Sequence, residues 1–410
     1  MDQPQTSRYA LIFIFVTIFI DTVGLGIIIP VTPKIIEQLT HEGLSEAARY
    51  GGWLMFVFSA MQFLCAPLIG NLSDRYGRRP VLILSLLAIG VDYAITGLAP
   101  TIAWLFVGRF LSGIAGASYS TANAYIADVT PPEKRAQNFG LVGAAFGLGF
   151  IAGPALGGIV GEYGARLPFF VSAGLAFLNA LYGFLVLRES LPKTQRRKFE
   201  LWRANPVGAL EALSRYPAIF GLCGVTVLMR LAHDANPSIY SYYTILKFHW
   251  TPAQLGYSLM ALGAMTTLVF GLLTRLIIPR IGEVRAVYLG LACGALGFFG
   301  YAFATETWMF YAWMTVWSFM GLAGPALSAI MSRHVPATEQ GELQGALASM
   351  GSLTSIIAPP LLTNIFGYFT RAAAPLYFPG AAFCAAGVCL LVAALLFART
   401  RPQPIFSPAE

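Results

Sequence analysis

The sequence predicts an all-α membrane protein of twelve transmembrane helices in two pseudo-symmetric six-helix bundles. Three observations lead there. Of the 410 residues 57% are hydrophobic and only 11% charged, with a mean hydropathy of +0.67, whereas soluble domains carry about 25% charge. Apolar runs near 20 residues, the length that crosses about 30 Å of hydrocarbon, recur twelve times. Polar segments flanking these runs repeat about 200 residues apart, the mark of a duplicated half.

The predicted spans are 9–38, 50–72, 80–99, 102–126, 136–160, 167–188, 216–247, 253–276, 285–304, 307–331, 342–368 and 374–398. The first carries Asp21 and lacks a small-residue cleavage pattern, so it reads as a span and not as a cleavable signal. Lys and Arg set the orientation. With the N-terminus inside, Arg8, Arg75, Arg78, Arg79, Lys134, Arg135, the cluster at 188–215, Arg275, Arg280, Arg285, Arg333, Arg399 and Arg401 share one side. Lys34, Arg49, Arg166, Lys247 and Arg371 fall on the other, a bias of roughly four to one that places both termini in the cytoplasm. The net charge of +7 is spread between apolar runs and forms no basic face, so a nucleic-acid partner is not expected. The partners expected are the lipid bilayer of a cytoplasmic (inner) membrane, a small-molecule substrate and protons, with a monomer as the working form.

Residues 189–215 separate the halves. In "RESLPKTQRRKFELWRANPVGALEALSRYP", Trp202 and the alternation of Leu201, Val207, Leu210 and Leu213 with charge suggest an amphipathic segment on the membrane surface. The domains are therefore 1–188, a linker at 189–215, and 216–410. The flanking repeats are "GNLSDRYGRRPVL" after span two against "GLLTRLIIPRIGEVRAV" after span eight. A second pair is "ADVTPPEKRAQNFG" after span four against "SRHVPATEQGELQG" after span ten.

In "GNLSDRYGRRP", Gly70, Asp74, Arg75, Gly77 and Arg78 occupy a short connection that must reverse direction, which glycine permits. An aspartate at a helix end meets a helix N-terminus or an arginine. Asp128, at the end of span four, is the expected partner. Three charges lie inside the membrane. At 1.5 Å per residue, Asp21 is about 20 Å and Asp92 about 18 Å from the inner side, and Arg109 is about 10 Å from the outer side, so all three share one level. Buried ion pairs seldom gain over apolar packing, and intramembrane charges are functional by default. The sequence does not decide which acid carries a proton. Span five, "GAAFGLGFIAGPALGG", puts Gly149, Gly153 and Gly157 on one face, which admits a close neighbour, and Pro154 permits a bend.

Span seven reads "LMRLAHDANPSIYSYY". Arg230 and Asp234 are spaced i, i+4 and face one another on a regular helix, and His233 titrates near neutrality. Two readings stand: a mutually satisfied pair near a break at Pro237, or a coupling and substrate site. Tyr240, Tyr243, Trp313 and Trp317, with Tyr119, Tyr125 and Tyr242, are candidate walls for a planar amphipathic substrate, and Asn123 and Gln62 are candidate polar contacts. No metal or cofactor is expected. The five cysteines and four histidines lack ligand spacing, and no Gly-x-x-x-x-Gly-Lys-Ser/Thr stretch supports ATP drive. An enzyme would need a nucleophile beside a base, and only His233 next to Asp234 approaches that.

"GNLSDRYGRRP" resembles the signature loop of the major facilitator superfamily. "RFLSGIAGAS", through Arg109, Gly113, Gly116 and Ala117, is similar to that superfamily's span-four pattern, and "GLGFIAGPALGG" to its antiporter motif. "DTVGLGIIIPVTP" and "SRHVPATEQGELQGALASMGSLTSIIAPPLLTNI" resemble tetracycline/proton antiporters. The resemblance implies a proton-driven antiporter expelling a lipophilic or amphiphilic molecule, tetracycline-like or multidrug, by alternating access. It implies proton coupling at Asp21, Asp92 and Arg109, to which the residues of span seven add His233 and Asp234. It also implies a gating latch at Gly70, Asp74, Arg75, Gly77, Arg78 and Asp128. The alternative on the same fold is a proton-coupled importer or facilitator of an organic metabolite or anion. In the second half the chain departs from the antiporter pattern: Met265 and Gly294 stand where family members carry a histidine and an aspartate.

Overall fold

The computed structural model describes residues 8–197, 217–336 and 339–400. Among the described residues there is no strand, and helices follow one another through short connections. The amphipathic segment predicted around Trp202 lies outside the described residues.

Span one is two helices, α1 (Arg8–Ile28) and α2 (Thr32–Thr40), bent by 47°. The bend follows from Pro30 and Pro33: proline removes a donor and disfavours helix before it, while Pro33 fits the first turn of α2. Next come α3 (Leu44–Tyr76) and α4 (Arg78–Leu98). Span four is α5 (Ile102–Gly116) and α6 (Tyr119–Val129), followed by α7 (Arg135–Glu162) and α8 (Leu167–Val186). The second half repeats the scheme. Span seven is α9 (Pro217–His233) and α10 (Ala235–Phe248), parted at Asp234, and span eight is α11 (Pro252–Leu268), a π-turn at Val269–Leu273 and α12 (Thr274–Ile281). Then come α13 (Glu283–Phe303), α14 (Thr307–Ser318), a 3₁₀ turn at Phe319–Leu322, α15 (Ala323–Ser332), α16 (Gln340–Thr370) and α17 (Ala381–Arg399). Spans one, four, seven and ten are thus interrupted at corresponding places in each half, and span eight carries a π-turn that span two lacks.

Ten helical stretches are long and apolar enough to cross a membrane, eleven with the α1–α2 pair. The twelfth is α9–α10, broken at Asp234 and carrying Arg230, His233, Asp234 and Lys247; its α9 packs on α16 and α17.

Two turns correct the reading of the signature connection. Helix α3 continues through Gly70 and Asp74 to Tyr76, and the reversal is made by Gly77 alone at φ 107°. Gly282 does the same between α12 and α13 at φ 81°. Only glycine takes such angles without strain. Gly70 sits in a helix with open space beside its Cα, so it has no part in the turn.

The described residues form two compact units. One comprises 8–43, 54–197 and 250–263; the other comprises 44–53, 217–249, 264–336 and 339–400. In the first, α1 packs on α7 and α8, and α4 on α5 and α8. The glycine stripe of α7 makes the first contact: a Cβ at Gly149, Gly153 or Gly157 would run into Thr22 and Phe19, Val23 and Gly26, or the backbone of Ile27. Helix α7 runs unbroken through Pro154. In the second unit α13 packs on α14, α15 and α17. Its core is aromatic: Tyr240, Tyr243, Phe298, Tyr301, Phe310 and Phe383 pack with ring centroids 4.3 to 6.5 Å apart.

Candidate functional site

The first unit encloses a cavity of about 250 Å³. Helix α1 contributes Phe13, Thr17, Asp21 and Thr22; α3 contributes Phe58 and Gln62; α4 contributes Asp92 and Tyr93; α5 contributes Arg109 and Ser112. Apart from Ser118 and Tyr125, its remaining walls are apolar. Asp92 is fully buried and paired with the Arg109 guanidinium, and the Thr96 hydroxyl lies 3.4 Å from its Oδ1. Gly108 makes room for this carboxylate, since a Cβ there would overlap Asp92 Oδ1. Gln62 donates from Nε2 to the Gly116 carbonyl at 3.1 Å, at the C-terminal end of α5.

Asp21 differs from Asp92. It lines the same cavity, is half-buried, and has no ion-pair or hydrogen-bond partner among the described residues. Asp21, Asp92 and Arg109 line one cavity, with one acid paired and the other without a partner among the described residues. The cavity holds a carboxylate that can take up a proton or meet a cation, next to a neutralised pair.

Other expected contacts fall elsewhere. Asn123 is not among the cavity's lining residues, although its neighbours Ala122 and Tyr125 are. Tyr240 and Tyr243 are core and not cavity walls: both pack against Tyr301 of α13 and Phe310 of α14. The Tyr243 hydroxyl donates to the Tyr301 carbonyl, and the Tyr240 hydroxyl lies 3.8 Å from Met314 Sδ. Trp317 is buried against Phe298 and His233, at ring distances of 5.8 and 5.9 Å. Trp313 is exposed and packs beside Gly300.

Span seven departs most from expectation. Arg230 and Asp234 form no ion pair; Arg230 is exposed. Asp234 instead has His233 Nδ1 at 3.8 Å from Oδ1 and the Ser355 hydroxyl at 3.4 Å from Oδ2. A long side chain keeps its charge outside a packed interior, and the carboxylate is drawn to the polar face of α16. At Met265 and Gly294 nothing titrates. Met265 Sδ meets the Thr315 hydroxyl at 3.6 Å, and Gly294 packs on Met320 and Leu390.

At the Gly77 end, Arg78 is the hub. Its guanidinium reaches Asp74 at 2.6 Å, the Ser73 hydroxyl at 2.6 Å and Asp128 at 3.4 Å. Asp128 also accepts from Ser190 at 3.0 Å. The backbone N–H of Arg78, the first of α4, donates to Glu189 Oε1 at 2.8 Å, so a carboxylate 111 residues away caps this helix. Arg197 N–H donates to the Asp74 carbonyl at 3.1 Å, and Arg196 lies 3.7 Å from Glu189. Arg75 is outside this network: it is exposed and stacks over Tyr76 at 5.1 Å. Asp128 was legible as a partner of Arg78; Glu189 was not, because nothing local distinguishes it in "RESLP".

The sequence matches the family model "Major Facilitator Superfamily" over residues 14–359 and 226–410. The chain belongs to the Major Facilitator Superfamily. It is 40% identical over 360 residues to the class C tetracycline resistance protein of Escherichia coli, covering 88% of this chain and 90% of that one. It is 36% identical to the class G protein of Vibrio anguillarum, covering 88% and 91%. The class B protein of Escherichia coli is 32% identical, with 85% and 86% covered. The fold matches that of a bacterial homologue of the human lysosomal transporter Spinster, at a TM-score of 0.76 and 17% identity with both chains fully covered. It also matches nucleoside transporter NupG, at 0.78 and 11%, covering 95% and 98%. The chain is a multi-pass membrane transporter and not an enzyme, and among the described residues no cluster of His, Cys, Asp and Glu is arranged to hold a metal.

Proposed function

We propose that this transporter is a proton-coupled antiporter that expels a tetracycline-like or multidrug amphiphile, with Asp21 as the proton carrier. The observation that carries the reading is the contrast inside one cavity between the unpartnered Asp21 and the buried Asp92–Arg109 pair. A carboxylate without a partner is open to a proton or to an amphiphile entering beside it, so the two compete for one place. Asp92 and Arg109 fix the field around the carrier and hold α4 to α5. Phe13, Phe58, Tyr93 and Tyr125 offer flat apolar surfaces, and Gln62 and Ser112 offer hydrogen bonds. Similarity to proteins named for tetracycline resistance supports the substrate class.

Alternating access moves residues 1–188 against 216–410, joined by 189–215. The network of Asp74, Arg78, Asp128 and Glu189 is the latch on the cytoplasmic side, where both termini lie. The glycines Gly149, Gly153 and Gly157 with Pro154 hold α7 to α1 while the bundle moves as a body. The monomer is the working form, in the inner membrane.

The test is proton flux in proteoliposomes with an internal pH dye and a tetracycline as substrate. Wild type moves protons opposite to the drug, and Asp21→Asn abolishes that exchange while leaving the folded protein intact. Protons travelling with the drug, or exchange that survives in Asp21→Asn, overturns the proposal.

A further inference from the structure

Span seven breaks at Asp234, and several side-chain and backbone oxygens stand near the break beside the His233 imidazole. Asp234 closes α9 and opens α10, with helical hydrogen bonds continuing on both sides: its N–H donates to Arg230 O at 3.0 Å, and Ser238 N–H donates to Asp234 O at 3.2 Å. Asp234 and Ser238 therefore stay on one helix face, about 5–6 Å apart at Cβ. That face is turned to α16. Asp234 Oδ2 lies 3.4 Å from the Ser355 hydroxyl, and two turns further along, Tyr242 meets Gly51, whose neighbour Gly52 meets Thr363. Ser238 lies between these points. Its side-chain oxygen is buried, the residue being 1% exposed, and it has no hydrogen-bond partner among the described residues.

Helix α16 adds to this. Pro359 and Pro360 stand inside it, and neither has an N–H. The carbonyls of Ser355 and Ile356, one turn earlier, lose the donors that a regular helix gives them. The first of them belongs to Ser355, whose hydroxyl meets Asp234. A buried hydroxyl without a partner and carbonyls without donors are costly in an apolar interior, and they stand beside a carboxylate whose nearest arginine, Arg230, is exposed and unpaired with it. Interrupted spans whose freed carbonyls and helix ends gather at one depth are suited to holding a small cation.

We propose that Asp234, Ser238 and Ser355, with the carbonyls freed by Pro359 and Pro360, bind a sodium ion. The donors are all hard oxygens, and one carboxylate matches a single positive charge, whereas calcium sites gather several. His233 stands at 3.8 Å from Asp234 Oδ1; a neutral imidazole leaves the carboxylate free for the ion. The inference rests on the transporter reading only for the ion's use, since binding is measured without substrate.

The experiment is equilibrium binding of radioactive sodium to the purified full chain in detergent, by scintillation proximity, with N-methylglucamine holding ionic strength constant. Wild type binds one ion per chain, displaced by unlabelled sodium. Asp234→Asn abolishes binding, and Ser238→Ala and Ser355→Ala each weaken it about tenfold. Asp21→Asn binds as wild type. Gel-filtration profiles establish that each variant is folded, and where Asp234→Asn fails, Ser238→Ala, which removes one oxygen, decides. No saturable binding by wild type, unchanged binding in Ser238→Ala, or loss in Asp21→Asn overturns the site. Proton exchange measured in sodium-free liposomes separates this failure from failure of the antiport reading.

Discussion

Removing Arg109 alone should harm this protein more than removing Arg109 and Asp92 together. Asp92 is fully buried, and its partners are the Arg109 guanidinium and the hydroxyls of Ser112 and Thr96, the latter at 3.4 Å. In Arg109→Leu the carboxylate is left in an apolar bundle with two neutral hydroxyl donors and no compensating charge. Breaking a buried pair from one side costs about 3–5 kcal/mol, whereas replacing both partners by apolar side chains is often close to neutral. The double variant Asp92→Leu/Arg109→Leu should therefore recover at least about 2 kcal/mol of the loss, since residues in direct contact couple by up to about 3 kcal/mol. The assay is thermal unfolding of the four proteins in one detergent, followed by proton exchange in liposomes. The stability of the double variant should approach wild type, and its transport should be lost, because the charged field beside Asp21 has gone. Additive losses, with the double variant worse than either single, would refute the claim that the pair is mutually dependent.

Three further substitutions separate glycines and caps that matter from those that do not. Gly157→Ala places a methyl against the Ile27 backbone, which cannot swing aside, and should lower stability by about 1–3 kcal/mol. Gly70→Ala meets open space in a helix and should be neutral or stabilising by about 0.4–1 kcal/mol; both are read by thermal unfolding. Glu189→Ala removes the cap on α4 and the contact to Arg196. The first turn of α4 should lose about 1 kcal/mol of local stability, measured as faster amide exchange at Arg78 and Arg79 with the centre of α4 unchanged.

What could be read from the sequence was whatever depends on spacing along one helix or on depth in the bilayer. Apolar length gave the spans, and counting 1.5 Å per residue put Asp92 and Arg109 at one level, where they pair. Glycines at intervals of four in α7 marked the face that meets α1. Contacts between distant segments could not be read this way: Glu189 capping α4, or Ser355 meeting Asp234 across 121 residues. The i, i+4 rule failed for Arg230 and Asp234 because it describes which side chains are able to meet, while the choice among partners belongs to the neighbouring helix. Tyr240 and Tyr243 failed for a similar reason. Their spacing puts them on one stripe, and only the aromatic content of α13, α14 and α17 decides that the stripe is core.

The grouping of the helices adds an energetic point about the opposite end from Gly77. The first ten residues of α3 pack with the second unit and residues 250–263 with the first, so each crosses to the unit formed mostly by the other half of the chain. Their contacts are of a particular kind. Arg49 Nε donates to Asn364 Oδ1 at 3.0 Å beside its pair with Glu46, and Glu162 accepts the Ala253 N–H at 3.0 Å at the start of α11. Around them, Gly51 and Gly52 lie against Tyr242 and Thr363, and Gly158 against Gly256. Exposed polar pairs are worth about 0–1 kcal/mol each, and glycine faces bring backbones together while burying little side chain. Contacts of this strength are able to open and reform on the timescale of transport. The α1–α7 stripe, which lies within one half, combines its glycines with buried Val23 and Ile27, and burial of such side chains contributes about 1.5–3 kcal/mol apiece. The halves of the chain are thus held more firmly within themselves than at the crossing segments, which is the order of strengths that rigid-body alternation requires.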